Sequence, residues 1–235
     1  VQITSASDRS LLITLGDAIS REVHAQVLSL WHSLQEAKLH GVTSISPAYA
    51  SVLVRYDPLR VTAQRLEDRL RALANRVRDT GSQSLTQGRL VELPVCYHPE
   101  VAPDLLSLAS QCGVSPEELV HIHTAQEYLV YFLGFAPGFA YMGDVDPRIA
   151  RPRHATPRPQ VPQGAVGIAG RQTGVYPFSL PGGWQLIGRC PVPLVSAVQS
   201  QPADQQQPPP TLLQPGDTVR FRAIALEEFQ RWVQQ

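Results

Sequence analysis

Between residues 134 and 189 the chain concentrates side chains that are better suited to binding than to attack. The run Gly134-Phe135-Ala136-Pro137-Gly138-Phe139-Ala140-Tyr141 sets three aromatics among glycines and a proline. Phe135, Phe139 and Tyr141 can stack a ligand, with Pro137 shaping the turn, while Gly138 permits close backbone approach or a positive φ. The same aromatics would equally fill the core of a barrel, and the pattern leaves both uses open. Next comes Pro152-Arg153-His154-Ala155-Thr156-Pro157-Arg158, followed by Val161-Pro162-Gln163-Gly164. Its prolines make an extended segment from which Arg153 and Arg158 can offer donors to a carboxylate or phosphate. Solvated guanidinium groups are the plain alternative. A third group holds Gln172, Thr173, Tyr176, Trp184, Gln185 and Arg189 among glycines. Amide, hydroxyl, phenol, indole and guanidinium on pliable backbone suit a polar amide or an anion. The glycine-rich run lacks the Lys-Ser/Thr ending of a P-loop, and neither GxSxG nor HExxH occurs.

Histidines give a weaker signal. His121 and His123 fall on different faces of a helix, so a two-histidine metal site is not expected. One of the two, with Glu127 four residues after His123, could act as a general base or as an orienter at the helix end; a helix-end histidine satisfying carbonyls is the alternative. His24, His32 and His40 lie on or beside the first helix at a spacing that does not converge, and read as partly exposed.

Bulk properties bound the rest. The 235 residues are enough for two modest domains, and the formal net charge of zero gives no footprint for nucleic acid or anionic membrane. One Lys, Lys38, stands against nineteen Arg, so a bound anion must be held by guanidinium forks, backbone N–H groups or neutral polar side chains. Cys96, Cys112 and Cys190 form neither a CxxC pair nor a disulfide framework. No run approaches a membrane-spanning length and no signal-peptide pattern opens the chain, so a reducing cytoplasm is the expected setting.

These groups need elements to hold them. Ser10–Leu15 reads as a strand, and Ser20 as the N-cap of a helix with Val23, Val27, Leu30, Trp31, Leu34 and Ala37 on one face. Val42–Ile45 and Ser51–Tyr56 read as a hairpin. A second helix from Thr62 carries Ala63, Leu66, Leu70, Leu73 and Val77, and Arg89–Leu93 reads as a last strand. That order, βαββαβ, predicts a ferredoxin-like α+β domain over residues 1–93. Gly81–Gly88 reads as a polar loop. Beyond it, Asp104–Cys112 and a helix capped by Ser115, with Pro116 at its first position and Glu118 behind it, precede a stretch without helical periodicity. Its short strands, Tyr128–Leu133, Ala165–Ala169, Trp184–Ile187, Val192–Val195 and Thr218–Phe221, predict a compact β-barrel over residues 94–235. Gln199–Pro210 is low-complexity and reads as a mobile surface loop, and Leu226–Val233 as a final amphipathic helix.

Taken in order, HTAQEY (His123–Tyr128), GFAPGFAYMG (Gly134–Gly143), DPR (Asp146–Arg148), ATPR (Ala155–Arg158), VPQGAVGIAG (Val161–Gly170), QTGVYP (Gln172–Pro177), PGGWQLIGR (Pro181–Arg189) and LQPGDTVRF (Leu213–Phe221) resemble the KipI / allophanate hydrolase subunit 1 family. The match is dense over residues 123–222 and looser ahead of them. His154 departs from it, standing where the family commonly has an Arg. The resemblance implies a ferredoxin-like domain followed by a cyclophilin-like β-barrel. It implies one subunit of an ATP-dependent 5-oxoprolinase that opens 5-oxo-L-proline to L-glutamate, inactive alone. Its implied partners are a C-type subunit, similar to allophanate hydrolase subunit 2, and an A-type subunit, with ATP and magnesium as cofactors and no metal site in this chain. Under that reading Arg153, Arg158 and Arg189 would hold a carboxylate or phosphate, and Gln172, Thr173, Tyr176 and Gln185 would position the amide. His123 and Glu127 would serve proton transfer, and Phe135, Pro137, Gly138, Phe139, Tyr141 and Trp184 would wall the pocket. The family also contains an inhibitor of a sensor histidine kinase and half-modules of allophanate hydrolase and urea carboxylase. These are the alternatives, with a proline isomerase resting on fold analogy alone.

Overall fold

Apolar positions at helical spacing and alternating β-branched runs divide this chain into two independent cores. The computed structural model describes residues 1–79, 88–196 and 211–234. Two segments expected to be loops, 81–87 and 199–210, lie outside the described residues. The chain falls into two units, Val1–Gly88 and Arg89–Gln235.

In the first unit, β1 (Gln2–Ser7), β2 (Ser10–Thr14), β3 (Val42–Pro47) and β4 (Ser51–Tyr56) form an antiparallel sheet in the order β1-β2-β4-β3. Helices α1 (Arg21–Ala37) and α2 (Ala63–Asp79) cover it. The Ser20 hydroxyl accepts the Val23 N–H at 3.1 Å and so fixes where α1 begins. Val27, Leu30 and Leu34 of α1 and Leu66 and Leu70 of α2 bury themselves on Leu11, Ile13, Val52 and Val54. The unit departs from the expected βαββαβ order. The strand expected to close its sheet, β5 (Leu90–Cys96), pairs elsewhere, and β1 takes the edge beside β2. The boundary therefore falls ahead of β5, at residue 88, rather than after residue 93.

The second unit contains a closed barrel. After β5 come α3 (Leu105–Cys112), α4 (Pro116–Thr124), β6 (Glu127–Leu133), β7 (Ala140–Gly143), β8 (Arg158–Val161), β9 (Ala165–Ala169), β10 (Gln172–Val175), β11 (Leu180–Gly182), β12 (Gln185–Arg189), β13 (Thr218–Ile224) and α5 (Leu226–Val233). Seven strands close in the order β10-β7-β6-β13-β5-β12-β9, while β8 and β11 pair apart from them. All neighbours are antiparallel except β5 and β13, which run parallel from Leu90↔Thr218 to Cys96↔Ile224. Val192–Val195 does not form the expected strand; Val195 makes only an isolated bridge to Thr211. Among the described residues no helix is long and apolar enough to cross a membrane.

Two histidines belong to these cores rather than to any surface. His24 of α1, expected to be partly exposed, is buried, with Nδ1 at 3.3 Å from the Tyr49 carbonyl. His123, at the end of α4, is fully buried and stacks on Phe221 with ring centroids 4.6 Å apart. Its Nε2 lies 3.0 Å from the Thr173 hydroxyl, and its Nδ1 lies 2.8 Å from the Tyr97 hydroxyl. Thr173 has one hydroxyl proton and gives it to the Gly167 carbonyl at 3.0 Å. Nε2 must therefore carry the histidine proton and Nδ1 must accept from Tyr97. Burial drives the His123 pKa down to about 3, and burial likewise drives that of His24 down to about 4. A histidine in the unfolded chain titrates near 6.5. Between about pH 6.5 and these lower values the unfolded chain binds protons that the folded one refuses, so stability rises with pH across that window. The thermal midpoint should fall as pH drops from 6.5 toward 4. In nitrogen NMR spectra His123 should remain the neutral Nε2-protonated tautomer at pH 5. An imidazolium signal for it at pH 6 would contradict this assignment.

Candidate functional site

The aromatic turn between β6 and β7 does not choose between pocket wall and core; it supplies both. Phe139 is buried at the centre of a ring cluster and meets its neighbours edge to face. Its centroid lies 5.0 Å from Tyr141, 5.2 Å from Tyr176, 5.4 Å from Trp184 and 5.5 Å from Phe135. Tyr141, half-buried, stacks on Phe132 at 4.6 Å. Phe135 is exposed. Above this cluster opens a cleft of about 290 Å³, lined by Phe135, Phe139, Tyr141, Arg153, Pro157, Tyr176, Pro181, Gly182, Gly183 and Trp184.

Glycine is required beneath it. A Cβ at Gly182 would fall 2.3 Å from the Tyr176 hydroxyl, and one at Gly174 would fall 3.1 Å from Phe139 and 3.2 Å from Trp184. Burial pushes the Tyr176 phenol above its ordinary pKa, and burial does the same for Tyr141, against an opposing pull from Arg153. Both phenols are thus neutral hydrogen-bonding groups. Arg153 is the single guanidinium lining the cleft, and it has no hydrogen-bond or ion-pair partner among the described residues.

The other expected donors are committed elsewhere. Arg158 donates from Nη2 to Asp104 Oδ1 at 2.5 Å. The other carboxylate oxygen, Asp104 Oδ2, accepts the Leu186 N–H at 2.7 Å and lies 3.3 Å from His154 Nε2. Asp104 N–H donates in turn to the Leu186 carbonyl at 2.9 Å. This buried carboxylate is the residue that sequence reasoning missed, because an Asp ahead of a helix reads as a cap. It makes no side-chain cap bond here. Gln185 donates from Nε2 to the Pro152 carbonyl at 2.9 Å. The Gln185 Oε1 and Arg158 Nη1 atoms are buried without a partner among the described residues.

Several expected site residues are not in the cleft. His123 and Thr173 lie against each other in the barrel core, fully buried and outside the cleft lining. Glu127 is exposed and pairs with Arg220 across β6 and β13, so it is not beside His123 as a second acid or base. Gln172 lies on β10, paired in backbone to Gly143 and Ala169. Gly138 has a φ of +79°, and a Cβ there would fall 2.4 Å from Val195, so it serves the turn. Pro137 is exposed and outside the lining. Arg189 lines a different cleft, donating to the Gln163 carbonyl at 3.0 Å and lying 5.7 Å from the Phe229 ring centroid.

The cleft therefore offers flat apolar walls, two neutral phenols and one free cation. No carboxylate, histidine, serine or cysteine is among its described lining residues. It can hold a small ring with a carboxylate or a polar amide, with the Tyr141 and Tyr176 phenols as its neutral hydroxyl donors.

Comparisons with known proteins agree in kind. The B-type 5-oxoprolinase subunit of Bacillus subtilis (strain 168) is 39% identical over 241 residues, spanning 100% of this chain and 97% of that protein. The crystal structure of TTHA0988 superimposes with a TM-score of 0.77 at 36% identity, covering 92% of this chain and 40% of that one. The K. lactis urea amidolyase structure gives a TM-score of 0.77 at 20% identity, over 99% of this chain and 15% of that one, a likeness of fold alone. The family described as carboxyltransferase domain, subdomain C and D, matches residues 1–204, and the chain belongs to that family.

Proposed function

We propose that this chain is the B-type subunit of a 5-oxoprolinase, contributing the substrate-holding half of a site that opens the lactam of 5-oxo-L-proline to L-glutamate. The observation that carries the reading is the cleft itself. Aromatic walls fit the faces of a five-membered ring, Arg153 fits its carboxylate, and the Tyr141 and Tyr176 phenols can hydrogen-bond its amide. The near full-length likeness to a B-type 5-oxoprolinase subunit supports the substrate. In this reading the chain binds and orients the ring and shields it from water, while C-type and A-type subunits bring the reactive groups.

ATP supplies the activation of the amide oxygen in such a reaction. The residues of this cleft do not fit a triphosphate. It presents one guanidinium and no lysine, and among the described residues no cluster of three His, Cys, Asp or Glu side chains could hold a magnesium ion. In this proposal nucleotide handling is assigned to the partner subunits, and the chain is expected to work beside them in the cytoplasm. A second reading, a carboxyltransferase half-module acting on urea-derived amides, is favoured by the fold shared with urea amidolyase.

Two outcomes test the proposal. Mixed with C-type and A-type subunits, ATP, magnesium and 5-oxo-L-proline, the chain should support glutamate release that is absent when any one protein is omitted. Release from urea or allophanate instead would favour the second reading. In the same assay Arg153→Gln should raise the KM for 5-oxo-L-proline roughly 10- to 100-fold, the worth of one hydrogen bond to a charged group, with a smaller change in kcat. An unchanged KM would remove Arg153 from the carboxylate.

A further inference from the structure

Phe135 holds a backbone conformation that the rest of its chain does not compensate. Its φ is +68°, in the left-handed region where a side chain crowds the following carbonyl and glycine is the favoured residue. The turn requires this conformation. Gly134 N–H donates to the Phe139 carbonyl at 3.0 Å, and Phe139 N–H donates to the Ala136 carbonyl at 3.1 Å, closing the link from β6 to β7. Glycine occupies positions 134 and 138 of the same turn, yet position 135 carries a bulky aromatic.

Burial does not offset the strain. The ring is 63% exposed, against 1% for Phe139, and it meets Phe139 only edge-on at 5.5 Å. What the ring does have is a place in the cleft lining, with Tyr141, Trp184 and Arg153. Strain kept at a binding site and unrelieved by packing points to an interaction made by something bound there. A flat ring resting on one aromatic wall still shows its other face to water, and a second aromatic at the mouth would cover that face.

We propose that Phe135 is a substrate-covering residue: the strained turn holds its ring where it closes over the face of a small planar cyclic amide, selecting such rings over open-chain amides. This rests on the lactam-binding role proposed above and names the residue that sets substrate shape. A partner protein covering the same ring is the competing explanation, and the test separates the two.

The experiment uses the assembled complex with Phe135→Gly, Phe135→Tyr and, as a control, Phe178→Ala, since Phe178 is 39% exposed but outside the cleft lining. Phe135→Gly should show a thermal midpoint at or above that of the wild type, because glycine relieves the left-handed strain. Its KM for 5-oxo-L-proline should nevertheless rise about 3- to 10-fold. Phe178→Ala should keep the wild-type KM, and Phe135→Tyr, which retains a flat ring at the mouth, should raise it less than Phe135→Gly does. A lowered midpoint with a raised KM would mark a structural residue and overturn the proposal. An unchanged KM would overturn it too, whether or not assembly of the complex weakens. If the wild-type complex does not turn over 5-oxo-L-proline, the proposed function fails by itself. Calorimetric titration of the complex with 2-imidazolidinone and with open-chain N,N′-dimethylurea then tests Phe135 alone. A preference for the ring that is lost in Phe135→Gly supports the covering role, and no preference, or one that survives the substitution, overturns it.

Discussion

The cleft depends on one buried carboxylate. Asp104 sits at the head of α3, whose Leu105 and Leu108 are set in the barrel core, so its position is fixed by packing. A carboxylate removed from water must be fully partnered, because an unpaired buried charge costs several kcal/mol. Asp104 meets that demand with Arg158, His154 and the Leu186 N–H, three groups from two separate segments. Three cleft-lining residues are close chain neighbours of an Asp104 partner: Arg153 beside His154, Pro157 beside Arg158, and Trp184 two residues before Leu186. The requirement to satisfy one charge thus becomes a requirement on the spacing of two cleft walls. The barrel core holds α3, α3 holds Asp104, and Asp104 holds the site.

The opposite wall is set by shape rather than charge. Phe139 can meet its aromatic neighbours edge-on only because Gly174 and Gly182 leave room for Phe139, Trp184 and Tyr176. Edge-to-face contact suits the ring quadrupoles and locks each ring's tilt. The floor is therefore rigid, and Tyr176, Val161, Ala165 and Leu186 extend it into an apolar cluster of its own. One wall fixed by ion pairing and one by ring packing give a preformed pocket, which lowers the ordering entropy that a small ligand must overcome.

What the sequence disclosed follows from the range of each interaction. Capped helices were legible because Ser20 and Ser115 act over three residues, and β9 because its short apolar run is a local signal. Strand β5 was legible as a strand but not as a barrel strand. Its parallel partner β13 lies 128 residues away, and nothing in Arg89–Leu93 tells one sheet from another. Strand β1 was missed since an exposed edge carries Gln, Thr and Ser where a buried strand would carry apolar residues. The aromatic and glycine residues of the cleft were visible by type, and the structure brings most of them together. The polar set was harder to sort. His123, Thr173, Arg158 and Gln185 have the residue types of a binding site, yet each satisfies a buried polar neighbour, a distinction made only by contacts 33 to 54 residues away.

That sorting decides which cations the cleft can offer a ligand. Arg148, Arg151, Arg153 and Arg158 look like one basic patch in sequence. In the fold Arg148 is held by Asp146 at 2.9 Å, Arg151 by the carbonyls of Ala150 and Gln111, and Arg158 by Asp104. A guanidinium already engaged with a carboxylate adds little net field at a distance, because the pair is nearly neutral. Only Arg153 faces the cleft uncommitted, so the local potential suits one negative charge and not a chain of phosphates. A pocket with rigid apolar walls, a single cation and neutral phenols is suited to holding and orienting a small ring.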